Sequence, residues 1–97
     1  MTEEQFRQRA RDQGHCEFFA KDYGPDKDGP LHQHDFSVML WVVRGQFSLA
    51  FEDGTTDYLP GDMCDLAANV SHAERAGPMG ASVLLAKPGS GASPTPT

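Results

Sequence analysis

The chain has 97 residues, 38% of them apolar and 9% aromatic, with a formal net charge of −6. That is material for a single domain with one core, and a chain this small commonly draws stability from a metal, a disulfide or a partner subunit. The acidity argues against nucleic acid or an anionic membrane as partner, since both call for a basic face. No stretch approaches the roughly 18 apolar residues of a membrane span.

The first stretch, "MTEEQFRQRARDQG", is charged and has no apolar h-region. It reads as a helix rather than a secretory signal, and the chain as cytoplasmic. Thr2 and Gln5 match a capping box, Glu3 and Glu4 suit the positive end of the helix dipole, and Gly14 is a C-terminal stop. Segment 1–14 is therefore predicted to hold a polar helix over residues 3–13. Only Phe6 and Ala10 share a face, so weak docking is expected. Its charges cancel, Glu3, Glu4 and Asp12 against Arg7, Arg9 and Arg11, so the excess negative charge belongs to residues 15 onward.

From residue 15 the rhythm changes to short strand-like runs cut by turns. "HCEFFA" precedes "KDYGPDKDGP", a loop dense in Gly, Pro and Asp. "SVMLWVV" is followed by a break at Arg44-Gly45 and then "QFSLAFE". Asp53-Gly54 signals a hairpin, "TTDYL" leads to a turn at Pro60-Gly61-Asp62, and "MCDLAA" and "SHAER" flank Asn69. "ASVLLAK" is the last run. Seven or so strands without helical period predict an all-β antiparallel sandwich or barrel over residues 15–87. The tail "PGSGASPTPT", 88–97, has nothing to bury and is expected to be disordered. Cys16 and Cys64 are too few for a disulfide framework and are read as ordinary reduced, semi-buried thiols. His15 is read as a surface histidine.

The chemistry lies in "LHQHDFSVMLWVVRG", residues 31–45. On extended backbone His32 and His34 point the same way, roughly 7 Å apart, and imidazoles that close can converge on one metal ion. A pair of this kind is weak evidence alone. "DMCDLAANVSH" adds a third histidine, His72, after a turn, a strand and a tight bend at Asn69.

With these residues in order, "HQH", "VMLWVVRG", "PGD" and "LAANVSH", the sequence resembles the cupin superfamily over residues 15–87. The resemblance implies a double-stranded β-helix, a jelly-roll barrel. The superfamily's first motif is G-x5-H-x-H-x3/4-E-x6-G, with His32, His34 and Gly45 at its histidines and closing glycine. The second is G-x5-P-x-G-x2-H-x3-N, with His72 as its histidine, Ala67 at the Pro and Asn69 at the Gly. Asn is the commonest substitute where φ is positive. The motif-one glutamate falls at Val38, which cannot bind a metal.

Three arrangements are open. His32, His34 and His72 form a three-histidine site, as in thiol dioxygenases, which are also cupins. Alternatively a carboxylate joins from elsewhere: Glu74, two residues past His72 on the same face, with Asp35 the poorer candidate. Or the barrel binds an organic ligand without metal. Under the metal readings the cofactor is a divalent transition metal (Zn, Fe, Ni, Mn or Cu), and Glu74 is also the candidate catalytic group. The Glu74-Arg75 pair equally fits a solvated face.

"VMLWVV" is apolar on both alternating faces. One fills the barrel; the other, with Met39, Trp41 and Val43, calls for cover, and a homodimer is expected to supply it. The functions in view are a metal-dependent enzyme on a small acid, thiol or carbonyl compound, or a non-catalytic binding or sensing module. A metal-free sugar-modifying cupin with a His–Tyr or His–Asp couple is the third; nothing in the sequence sets Tyr23 or Tyr58 beside a histidine.

Overall fold

The structure is a computed structural model and describes residues 1–88. The expectation of disorder for the tail therefore falls, from residue 89 on, outside the described residues. A helix, α1 (Glu3–Asp12), precedes five strands: β1 (Glu17–Tyr23), β2 (Val38–Phe51), β3 (Gly54–Tyr58), β4 (Met63–Leu66) and β5 (Ala73–Lys87). All pairings are antiparallel, in the order β1-β5-β2-β3, with β4 on the first half of β2. This is an all-β jelly-roll arrangement.

The described residues contain five strands where the sequence reading expected seven or so. The break at Arg44-Gly45 is a bend inside β2, with register shifts on either side of it, and "SHAER" from Ala73 on runs with "ASVLLAK" in one strand, β5. The reason is local. Gly45 and Gly80 both take positive φ, +82° and +76°, and a Cβ on Gly45 would stand 2.1 Å from the Gly80 carbonyl oxygen. Two glycines packed backbone to backbone let the paired strands turn a corner without ending.

Alternation along β2 sends side chains to two cores. Leu40, Val42, Phe47 and Leu49 join Tyr23 and Val83 inside the barrel. Met39 and, partly buried, Trp41 face outward, where Phe6 and Ala10 of α1 meet them. Phe6 is fully buried, stacked on Trp41 at 6.4 Å and edge-on to Phe18 at 6.5 Å. Burying such a ring contributes about 1.5–3 kcal/mol. The Trp41 Nε1–H donates to the carbonyls of Met1 and Gly61. One reading is corrected here: α1, with Phe6 and Ala10 fully buried, covers Met39 and Trp41, the face assigned to a second subunit. Val43 of that face stays exposed.

The helix itself forms for the reasons its sequence offers. The Thr2 hydroxyl accepts from the Gln5 backbone and the Gln5 side chain accepts from the Thr2 backbone. His15 is buried rather than on the surface, because its Nε2 meets the Ser37 hydroxyl at 2.9 Å and its Nδ1 the Gln13 carbonyl at 3.1 Å. Cys16, next to it, is exposed, while Cys64 is partly buried against the interior core.

Candidate metal centre

The loop "KDYGPDKDGP" does not hang free. Asp28 bridges Arg75 of β5, and just beyond the loop His32 bridges His72, the residue before β5. Gly29 N–H donates to the Glu74 carbonyl at 2.9 Å, and the Arg75 guanidinium donates to Asp28 at 2.9 Å. His32 and His72, 40 positions apart in sequence, stand directly opposite and exchange both backbone hydrogen bonds at 2.8 Å. Asn69, at φ +63°, makes the turn that delivers His72 and donates its N–H to the His34 carbonyl at 2.6 Å. The positive φ expected of Asn69 is thus present.

The three imidazoles meet. Ring centroids lie 4.5 Å apart for His32 and His72, 5.1 Å for His32 and His34, and 5.2 Å for His34 and His72. Glu74, reaching inward from β5, puts Oε2 3.1 Å from Nε2 of both His32 and His72. One ligand atom from each of the four residues fits within a 4.8 Å span. Donors held about 2.1 Å from one ion are roughly 3.0–3.4 Å from their neighbours, and the 3.1 Å separations fall within that range.

The tautomers follow from the backbone. Nδ1 of His32 donates to the Pro30 carbonyl and Nδ1 of His72 to the Val70 carbonyl, both at 2.9 Å. In a neutral ring that leaves a lone pair on each Nε2, the form in which imidazole binds a metal. With both rings neutral, two lone pairs and a carboxylate oxygen would converge with no proton between them, an arrangement a cation would resolve. His72 Nε2 carries the argument furthest. It is buried, and although 3.1 Å from Glu74 Oε2 it is without a hydrogen-bond partner, alone in this among the described buried side-chain nitrogens and oxygens. Such an atom costs about 1–3 kcal/mol unless something coordinates it. His34 is held below the ordinary imidazole range, first by burial and then by the neighbouring His72 and His32, against a smaller opposing pull from Glu74. That direction favours the neutral ring, the form in which imidazole binds a metal.

Beside the cluster lies a cavity of about 180 Å³. Its walls are apolar, among them Phe19, Phe36, Val38, Leu40 and Leu85. Val38, at the motif-one glutamate position, is part of this wall, and Glu74 supplies a carboxylate from β5 instead. Asp35 is exposed and outside the cluster. Tyr23, also in the wall, is held protonated, first by burial and then by the negative charge of Glu74. Lys21 and Lys87 complete the lining.

Sequence reasoning passed over Lys21 and Lys87, and it found nothing to set Tyr23 beside a histidine, though Tyr23 shares the cavity lining with His32 and His34. The signal was present as alternation: Phe19, Lys21 and Tyr23 share one face of β1, and Leu85 and Lys87 continue it across register on β5. Lysines in a strand are ordinarily read as an outer face, which hid it. The donor set, three imidazole nitrogens with one carboxylate oxygen, suits Zn, Fe, Ni, Mn or Cu.

No protein-family model and no curated protein sequence matches the chain. Solved structures do. It is similar to a cupin-2 domain containing protein from Shewanella frigidimarina, at 20% identity over 74% of this chain and 69% of that one, TM-score 0.67. It is similar to a protein from Neisseria meningitidis, at 26% identity over 74% and 72%, TM-score 0.65. KdgF from Halomonas sp. matches at 23% identity over 74% and 67%, TM-score 0.63. The chain has the cupin fold.

Proposed function

We propose that this cupin is a metal-binding protein in which His32, His34, His72 and Glu74 hold one divalent transition metal and present it to a small molecule in the adjoining cavity. The buried, unpartnered His72 Nε2, facing the Glu74 carboxylate, is the observation that supports this best. Of the metal readings it favours the one with Glu74 as fourth ligand over three histidines alone. A metal bound there supplies Lewis-acid polarisation of an oxygen, a nucleophilic water or a binding position for O₂, according to the ion.

The chain's own residues do the rest. The Pro30 and Val70 carbonyls lock the His32 and His72 rings, so the donor atoms are aimed in advance. The apolar wall offers contact to the body of a ligand beside the cluster. Tyr23 offers a neutral hydroxyl on that wall, able to donate a proton in a hydrogen bond without competing as an anion for the metal. This is the equipment of a metal-dependent enzyme of the dioxygenase, isomerase or lyase kind. The cytoplasmic setting and homodimer expected from the sequence belong to the same proposal; Val43, Leu59 and Met79 are among the exposed apolar residues available for the latter, and sedimentation tests it.

Calorimetric titration of metal-free, untagged protein with Zn(II), and anaerobically with Fe(II), tests the proposal. Saturable uptake of one ion with Kd below about 1 μM is expected. Absence of saturable uptake would leave the alternative, a metal-free small-molecule-binding or sensing barrel.

A further inference from the structure

His34 is held differently from the other three members of the cluster. Nδ1 of His32 and Nδ1 of His72 each meet a backbone carbonyl at 2.9 Å, those of Pro30 and Val70. Glu74 Oε2 sits 3.1 Å from both of their Nε2 atoms. Among the described residues, neither ring nitrogen of His34 has a hydrogen-bond partner, and Glu74 does not pair with it. The backbone of His34 is fixed, since its carbonyl accepts from the Asn69 N–H at 2.6 Å. That bond does not set the plane of the ring, which turns about its own side-chain torsions. What faces the ring is aromatic. His32 meets it edge-on at 5.1 Å and 78°, His72 is tilted to it at 5.2 Å and 43°, and Phe36 stacks on it at 5.2 Å and 30°. Of these three neighbours Phe36 is the one outside the candidate ligand set. It lies across a bend from His34 and is half-buried in the cavity wall, with Lys87 Nζ 5.2 Å from its own centroid.

We infer that Phe36 is the positioning residue of His34, its stacked ring setting the plane in which His34 presents a nitrogen to the metal. The inference rests on the metal-binding reading above and gives a role to a residue outside the ligand set. A metal-binding imidazole is ordinarily aimed by a hydrogen bond at its other nitrogen. His32 and His72 have that bond from the backbone; for His34 the stack takes its place. The contact depends on ring shape as well as on bulk. Offset aromatic rings attract through their quadrupoles beyond what buried area supplies, and the attraction is lost when one ring turns out of plane. A branched aliphatic side chain fills similar space but presents no flat face. Leucine at position 36 therefore keeps the apolar wall and gives up the alignment, whereas tyrosine keeps both.

The test uses the full chain, stripped of metal, with Zn(II) affinity measured by competition against a chromophoric chelator and the visible spectrum recorded after loading with Co(II). Phe36→Leu is expected to weaken Zn(II) binding about tenfold and to shift the Co(II) spectrum toward that of His34→Ala. Phe36→Tyr is expected to match wild type in both. In a His34→Ala background, Phe36→Leu should cost no further affinity, because a residue that acts through His34 then has nothing to act on. Circular dichroism in EDTA checks the fold, and Phe36→Met replaces Phe36→Leu, with the same expectation, should the latter not fold. Zinc affinity or a Co(II) spectrum unchanged in Phe36→Leu overturns the inference. So does a loss as large in the His34→Ala background as in wild type, or a Tyr variant as weak as the Leu variant. If wild type takes up no zinc, the metal-binding reading falls and this inference with it. Zinc uptake by wild type that is indifferent to Phe36 leaves that reading standing and removes the inference alone.

Discussion

Glu74→Gln keeps the shape of the site and removes its negative charge, so it separates the proposed metal centre from a plain polar cluster. Without metal and with both rings neutral, wild type holds a carboxylate oxygen 3.1 Å from two Nε2 lone pairs. Glutamine places an N–H donor there, and the metal-free variant should be more stable than wild type by about 1 kcal/mol at pH 8. With zinc the order reverses. At free zinc 100 times the dissociation constant, wild type gains about 2.7 kcal/mol. Losing a direct anionic ligand should weaken binding by at least the ~100-fold seen for supporting groups. At the same zinc concentration the variant then gains only about 0.4 kcal/mol. For a domain of this size, these gains correspond to about 10–20 °C in wild type and about 2–3 °C in the variant. Thermal melts by circular dichroism, in EDTA and in zinc, read both. Equal zinc shifts would remove Glu74 from the ligand set. A metal-free variant less stable than wild type would mean that the cluster is held by charged imidazoles and awaits no cation.

Phe6→Ala deletes the fully buried ring that pins α1 to Trp41 and Phe18. It should cost about 3–5 kcal/mol in urea unfolding, and a cost under about 1 kcal/mol would mean the helix is not docked as described. Gly45→Ala drives a methyl into the Gly80 backbone at a positive φ. It should lose more than about 3 kcal/mol or fail to fold, whereas a stable variant would contradict the glycine-on-glycine corner. Burial raises the Cys64 thiol to about 11, which keeps it protonated at neutral pH. At pH 8 it should react with iodoacetamide about a hundredfold more slowly than exposed Cys16, and faster as the pH approaches that value. Peptide mass spectrometry tracks both sites, and comparable rates would contradict the burial.

Much of the site was legible because its signals are local. H-x-H needs only extended backbone to put His32 and His34 on one side, and His72-x-Glu74 repeats the rule. Asn69 announced its turn by chemistry, since few other side chains tolerate positive φ. What could not be read was long-range. That His32 pairs with His72 depends on the loop after β1 being laced to β5, which no local pattern reports. The strand count came out too high because a glycine inside an apolar run reads as an end; only the partner strand shows that Gly45 and Gly80 bend together. The cover for Met39 and Trp41 was assigned to a second copy because two apolar residues looked too few to dock a helix. One of them, Phe6, is an aromatic that meets Trp41 and Phe18 at once. Lys21 and Lys87 were passed over because their inward direction comes from register, not from residue type.

Metal content, measured by elemental analysis on untagged wild type and His72→Ala prepared side by side, bears on the central claim most directly. The account predicts close to one transition-metal ion per wild-type chain and almost none in the variant, with both chains folded by circular dichroism. A folded wild type that stays empty after incubation with excess Zn(II) or Fe(II), or a variant that loads as fully as wild type, would contradict it.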